Sequence, residues 1–165
     1  MISTSRLLLR PFTLADVPKI FLMSTEPGMR RWIPDQVYRD EDHAEQVLRA
    51  LIAFTDRPPD PRAQPYVVGI EYQGELVGHV GLSAARASVE IGYAIEERRQ
   101  GAGLASEAVA AMSRWGLDLG LPEVLGIVGV DNAPSSRVLE KAGFAPVREE
   151  DRPGGGAIRI YRRSA

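Results

Sequence analysis

The hexapeptide Arg98-Arg99-Gln100-Gly101-Ala102-Gly103 closes a β-rich stretch and opens the most regular helical pattern in the chain. That junction limits what can surround it. Before it, residues 66–72 and 76–82 are two β-rich runs separated by Gln73-Gly74-Glu75, and a third run covers 87–95. Such spacing predicts hairpins and an antiparallel meander. After it, Leu104, Ala108, Met112, Trp115 and Leu119 recur at steps of four, four, three and four, the stripe of a helix with one buried face. The helix is predicted over 101–119, with Gly120 as its C-terminal cap. A helix start presents unpaired N–H groups and the positive end of the dipole, which suits a phosphate. Glycines at 101 and 103 let the backbone approach oxygen atoms without a Cβ in the way, and Arg98 and Arg99 would add charge. Alone, the hexapeptide also fits a plain glycine-rich helix start with solvated arginines.

The flanking sequence supplies the rest of the domain. Residues 7–10 read as a strand ended by Pro11. Thr13 offers an N-cap for a helix that runs to about Ser24, with Asp16 in its first turn and Leu14, Val17, Ile20 and Phe21 at helical spacing. A stretch containing Pro27 and Pro34 leads to a second helix over 40–54, with Ala44, Val47, Leu48, Leu51 and Ile52 as its apolar face. Prolines at 58, 59, 61 and 65 make 56–65 a loop that no helix crosses. A short apolar strand covers 124–130, and Pro134 suits the first turn of a helix that Gly143 ends. Two final strands, 145–149 and 157–162, are joined through Pro153-Gly154-Gly155-Gly156. The order βααβββαβαββ predicts an α+β fold around one mixed sheet, a single domain over 1–165.

Composition removes several functions. The chain has no cysteine, which excludes a thiol nucleophile, disulfides and thiolate metal sites. His43 and His79 lie far apart without ligand spacing, so they read as structural or surface residues and no metal is expected. A net charge of −2 gives no broad electrostatic case for nucleic acid. The apolar run near the N-terminus is broken by Arg10 and Pro11, so neither a signal peptide nor a membrane span is expected and the cytoplasm is the default compartment. A Walker A loop needs Gly-Lys-Ser/Thr, where this chain has Gly103-Leu104-Ala105. A dinucleotide fingerprint needs glycine or alanine where Ser106 stands, within a parallel βαβ unit that is absent here.

A second segment narrows the choice. Residues 132–144 read Asn-Ala-Pro-Ser-Ser-Arg-Val-Leu-Glu-Lys-Ala-Gly-Phe. With Arg98, Gly101 and Gly103 matching Arg/Gln-x-x-Gly-x-Gly/Ala, the chain resembles the GNAT N-acetyltransferase superfamily from about residue 5 to 162. Asn132, Ser135, Val138, Lys141, Gly143 and Phe144 match the later signature. Ser5-Arg6-Leu7-x-Leu9-Arg10-Pro11 and Glu90-Ile91-Gly92-Tyr93 look like the branch that includes ribosomal-protein N-terminal acetyltransferases.

The resemblance implies a sheet of about seven strands, splayed at its centre, with about four helices and acetyl-CoA as co-substrate. Pantetheine would pair with backbone around Ala94, Ile95 and Glu96. Pyrophosphate would rest on the amides of Gly101, Ala102, Gly103, Leu104 and Ala105, beside Arg98 and Arg99. Asn132 would bond the pantetheine arm, although it also suits a plain helix cap. Glu90 is the sole carboxylate of 87–95 and shares a strand face with Gly92 and Ala94, which makes it the candidate base. Ser135 is the candidate proton donor to the leaving thiolate, or else a cofactor contact, because Phe144 occupies the place where many relatives carry a nearby tyrosine. The acceptor would be a protein N-terminus or small-molecule amine, met by the first helices, Arg30 to Trp32, and the loop 56–65. A longer acyl-CoA donor, a non-catalytic CoA-binding module and a homodimer stay open.

Overall fold

The computed structural model describes residues 1–152 and 155–165, so Pro153 and Gly154 of the last predicted turn lie outside the described residues. Among the described residues there are eight strands and five α-helices. The strands are β1 (Ile2–Ser3), β2 (Leu7–Arg10), β3 (Tyr66–Tyr72), β4 (Glu75–Ala85), β5 (Ser88–Ile95), β6 (Glu123–Gly129), β7 (Ala145–Asp151) and β8 (Ala157–Ser164). The helices are α1 (Val17–Ser24), α2 (Pro27–Trp32), α3 (Glu41–Thr55), α4 (Leu104–Asp118) and α5 (Ala133–Lys141). One sheet holds every strand, in the order β1-β2-β3-β4-β5-β6-β8-β7.

Two elements exceed the sequence expectation. The two-residue β1 pairs with β2 and is too short to show a period. Helix α2 begins with Pro27 at its first position, where a missing N–H is harmless. The proline that marked a break therefore starts a helix. The β3–β4 turn is also tighter than expected: Gln73 and Gly74 both have positive φ, a two-residue turn that matches strand twist, and Glu75 already belongs to β4.

The two sheet faces are covered differently. Leu104, Ala108, Val109 and Met112 of α4 pack on Val80 and Leu82 of β4 and on Val89, Ile91 and Ile95 of β5. The other face carries Phe12, Val17, Ile20, Ala44, Leu48 and Leu76 under α1 and α3. Full burial of each large side chain stabilises by about 1.5–3 kcal/mol, so both faces hold the sheet in place.

The break in the sheet positions the site. Strands β4 and β5 are in continuous antiparallel register from Gly78↔Ile95 to Ala85↔Ser88. Strands β5 and β6 are parallel and share the single register pair Glu90↔Leu125. The far edge of β6 is taken by β8. Past Glu90 the strands part, and the outer edge of β5 presents backbone N–H and C=O groups to the gap.

Candidate active site

A groove of about 1010 Å³ occupies that gap. Its walls include Glu90 to Ile95, Arg99 to Gly101, Gly103 to Ser106, Ile127 to Asn132, and Ser135. One end is a backbone cradle. Gly101 and Gly103 have φ of 80° and 78°, left-handed values that other residues adopt at a cost of about 1–2 kcal/mol. Helix α4 therefore starts at Leu104 rather than at Gly101 as the spacing suggested. Its first internal bond runs from Glu107 N–H to Gly103 O at 3.1 Å, which leaves the amides of Leu104, Ala105 and Ser106 unclaimed by the helix.

The chain start fixes this loop. Arg6 donates through Nη1 to Ala102 O at 2.9 Å and through Nε to Glu107 Oε2 at 2.6 Å. Glu107 also accepts from Thr4 Oγ1 at 2.6 Å and from the Arg6 N–H at 3.0 Å. Burial alone would raise the Glu107 pKa; these hydrogen bonds outweigh it and hold the group at about 2. Arg6 belongs to the Ser5-Arg6-Leu7 motif, but its role is not legible there, because its partners lie about a hundred residues away.

Three residues expected at the cofactor do not line the groove: Glu96, Arg98 and Ala102. The Glu96 N–H is spent on Val77 O at 2.9 Å. Its carboxylate is buried, paired with Lys19 and lying 3.1 Å from Arg98 Nε. Arg98 reaches Glu75 at 3.1 Å and Arg99 reaches the same carboxylate at 2.9 Å. The arginine pair is thus neutralised by two acids, and Arg99 alone of the two borders the groove. Ala102 is exposed and its carbonyl is held by Arg6. At this end the open donors are backbone amides.

Glu90, Gly92 and Ala94 share one face of β5, and Val89, Ile91, Tyr93 and Ile95 share the other, packed toward α4. Glu90 is half-buried beside the fork, and burial raises its pKa, with Arg86 partly opposing. On the α4 face, the Tyr93 hydroxyl lies 2.7 Å from Ser135 Oγ and 3.0 Å from Ser135 O. Burial pushes the Tyr93 pKa up to about 12, with the Ser135 bond opposing. Asn132 caps α5, its Oδ1 accepting from Ser135 N–H at 3.2 Å; its amide nitrogen is not used in that cap. Tyr93 was not anticipated, although it sits in Glu90-Ile91-Gly92-Tyr93: alternation aims it at the α4 side, and its partner is 42 residues away.

Tyr161 is fully buried and reaches Glu140 at 3.2 Å, away from the groove. None of residues 56–65 lines the groove. Arg62 of that loop binds Gly120 O at 3.1 Å, at the far end of α4, about 22 Å from the cradle. The expectation that this loop meets the acceptor is therefore corrected. Arg31 and Trp32 do border the groove, with the Arg31 guanidinium 4.5 Å from the Trp32 ring centre. No cluster of potential metal ligands occurs among the described residues, and no described helix is long and apolar enough to cross a membrane.

A splayed parallel strand pair, an amide cradle at a helix start and a polar cap on the next helix define an acyl-transferase fold of the coenzyme A-dependent type. The family of acetyltransferase (GNAT) domains matches residues 6–145. The chain belongs to that family and is an acetyl-CoA-dependent acetyltransferase. It is 27% identical over 146 residues to the uncharacterised N-acetyltransferase YnaD of Bacillus subtilis, covering 87% of this chain and 81% of that protein. Its fold resembles the microcin C7 self-immunity acetyltransferase MccE, solved with acetyl-CoA and AMP (TM-score 0.82, 15% identity, 98% and 94% of the two chains). It also resembles RimL, the ribosomal L7/L12 α-N-protein acetyltransferase, solved with coenzyme A (TM-score 0.78, 20% identity, 98% and 95%).

Proposed function

We propose that this enzyme moves the acetyl group of acetyl-CoA directly to a primary amine within a ternary complex, the acceptor being a protein N-terminus or a small-molecule amine. The observation that carries this reading is the division of polar groups between the sheet faces at the fork. Glu90 stands on one face; Ser135 and Tyr93 stand on the other. An amine arriving from the Glu90 face attacks the thioester carbonyl while sulfur departs toward Ser135.

In this reading pantetheine extends along the open edge of β5 at Ala94 and Ile95, and the pyrophosphate rests on the amides from Gly101 to Ala105. Asn132 offers its amide nitrogen to the pantetheine arm. A backbone N–H near Ala94 or Ile95 stabilises the carbonyl oxygen as it gains charge. The C–N bond forms, the ammonium proton passes to Glu90 through water, and the C–S bond breaks. Ser135 donates its hydroxyl proton to the departing thiolate and regains one from water, and Tyr93 holds the serine hydroxyl in place. An α-amine with a pKa of about 8 is already partly neutral near pH 7, whereas a lysine at about 10.4 is almost wholly charged; one carboxylate base therefore suits the α-amine better. The RimL likeness supports the same class.

Initial rates with acetyl-CoA and N-terminal peptides varied together test the mechanism. Intersecting double-reciprocal lines are expected. Parallel lines, or a trapped acetyl-enzyme, would exclude direct attack.

A further inference from the structure

We propose that a second, smaller cavity beside the groove selects the acceptor: it takes a compact apolar group of about ring size, tipped by one neutral hydrogen-bonding function that pairs with His79. This rests on the amine-acetylation reading above and adds the chemical class of the amine.

The cavity measures about 210 Å³ and lies between the sheet and helices α1 and α3. Phe12, Ile20, Met23, Leu48, Leu51 and Val67 supply most of its wall. An apolar cavity of about 150 Å³ holds benzene, so this space admits a six-membered ring with a substituent. Met29 and Gln36 line both this cavity and the groove, which makes the two spaces adjacent.

The cavity is next to the reacting centre. His79 on β4 stands opposite Ala94 on β5, one strand in from the edge assigned to the thioester. Partnered residues of an antiparallel pair share a face, so His79 faces the same side as Glu90, Gly92 and Ala94. A Cβ built on Gly92 would meet nothing within 4 Å, so space is open on that face. Glu90 stands opposite Ser83, roughly 13 Å along the strands from the His79–Ala94 pair. It is therefore an amine attacking a thioester held at Ala94 whose side chain lies beside His79, with Glu90 reached through a chain of waters.

The chemistry of the tip follows from hydrogen-bond accounting. Ser24 Oγ donates to Phe21 O at 2.8 Å and accepts from Tyr38 N–H at 3.3 Å. His43 Nδ1 accepts from Arg39 N–H at 3.3 Å. His79 differs: its Nε2 is buried without a partner, a state that native interiors seldom keep without a use for it. Burial lowers its pKa to about 4, so the ring is neutral near pH 7 and offers one donor and one acceptor. A hydroxyl or amide satisfies such a ring. Asp35 also lines the cavity, so an anionic tip would meet a like charge as well as losing its hydration against the apolar part of the wall.

The experiment has two arms. In the first, kcat and KM are measured on peptides that differ only in an N-terminal Ala, Leu, Phe, Tyr or Glu. Leu and Phe should exceed Ala in kcat/KM, Glu should be poorest, and Tyr should exceed Phe by about tenfold or more, chiefly through KM. His79→Phe should erase the Tyr-over-Phe preference and leave acetyl-CoA affinity unchanged. Equal kcat/KM across the series, or a preference that survives His79→Phe, would overturn the assignment.

The second arm needs neither turnover nor a folded variant at position 79. The chain has two histidines, so imidazole ¹⁵N signals can be assigned with a single His43→Gln variant. Titration of the wild-type enzyme with tyramine should shift the His79 signal saturably. A silent His79 signal would overturn the cavity assignment whatever the activity. A saturable shift without acetyl transfer to any amine would uphold the cavity and sink the amine-transfer reading instead.

Discussion

Gly101→Ala isolates the backbone cradle from every other feature of the groove. Gly101 has φ +80° and a Cβ there would meet nothing within 4 Å, so the substitution adds conformational strain and no clash. A left-handed alanine is disfavoured by about 1–2 kcal/mol. The loop around it is exposed and is held mainly by Arg6 on Ala102 O and by Gln100 Nε2 on Ile95 O at 2.9 Å. It can therefore relax when empty, and the strain returns when an anion demands the cradle. Acetyl-CoA should then bind about five- to thirtyfold more weakly, since each 1.4 kcal/mol is tenfold. Gly120→Ala is the matched control. Gly120 has φ +89° with equally open space, but it lies past the far end of α4, where Gly120 N–H bonds Leu117 O at 2.9 Å and Leu121 N–H bonds Gly116 O at 3.2 Å. Strain there cannot relax without losing the cap, so it should lower Tm by about 2–8 °C and leave affinity intact. Calorimetric titration and thermal unfolding of both variants read the two effects separately. Gly101→Asn should fall between glycine and alanine, because asparagine tolerates this region better. Donor affinity within twofold of wild type for Gly101→Ala would refute the cradle.

Other expectations concern single side chains. Because burial raises the Glu90 pKa, the base is protonated at a higher pH than an ordinary glutamate, and kcat/KM should fall as pH drops through that raised value. Glu90→Gln should lower kcat by about 10²–10⁴-fold and remove that acid limb; an unchanged pH–rate profile would remove Glu90 as base. Ser135→Ala should slow turnover with acetyl-CoA binding retained, and Tyr93→Phe should reproduce part of that loss; if Tyr93→Phe matches wild type in kcat, the hydroxyl pair is only packing. The Glu107 pKa is depressed to about 2, so its stabilisation is complete above the unfolded value near 4.5 and is lost as pH falls toward 2. Glu107→Gln should remove on the order of 2–3 kcal/mol at neutral pH and flatten acid unfolding over that window; denaturant titrations at pH 7 and pH 3 check both.

Much of the domain was legible in the chain because it is encoded locally. The four-residue stripe of Leu104, Ala108 and Met112, the alternation of 87–95 and the cap at Asn132 all follow from periods of 3.6 and 2 and from unsatisfied helix ends. Glycines at 101 and 103 mark a phosphate-compatible turn in the sequence itself. The α2 helix was obscured by its own Pro27, which is a breaker inside a helix and a good residue at its start. The roles of charged side chains were the hardest to read. Arg98 and Arg99 suggest phosphate ligands in sequence, yet Glu75 and the buried Glu96 claim them in space.

Sequence alone therefore carried most of the order of elements, a glycine-rich helix start suited to an anion and, through the resemblance of its motifs, the acetyltransferase class, since each is written in short segments of the chain. Tertiary structure decided which groups are free to act. It set Tyr93 against Ser135, bound Arg6 to Glu107, carried the 56–65 loop to the far end of α4 and left His79 without a partner beside the groove. These pairings depend on strand register and helix docking across tens of residues, and no local period records them.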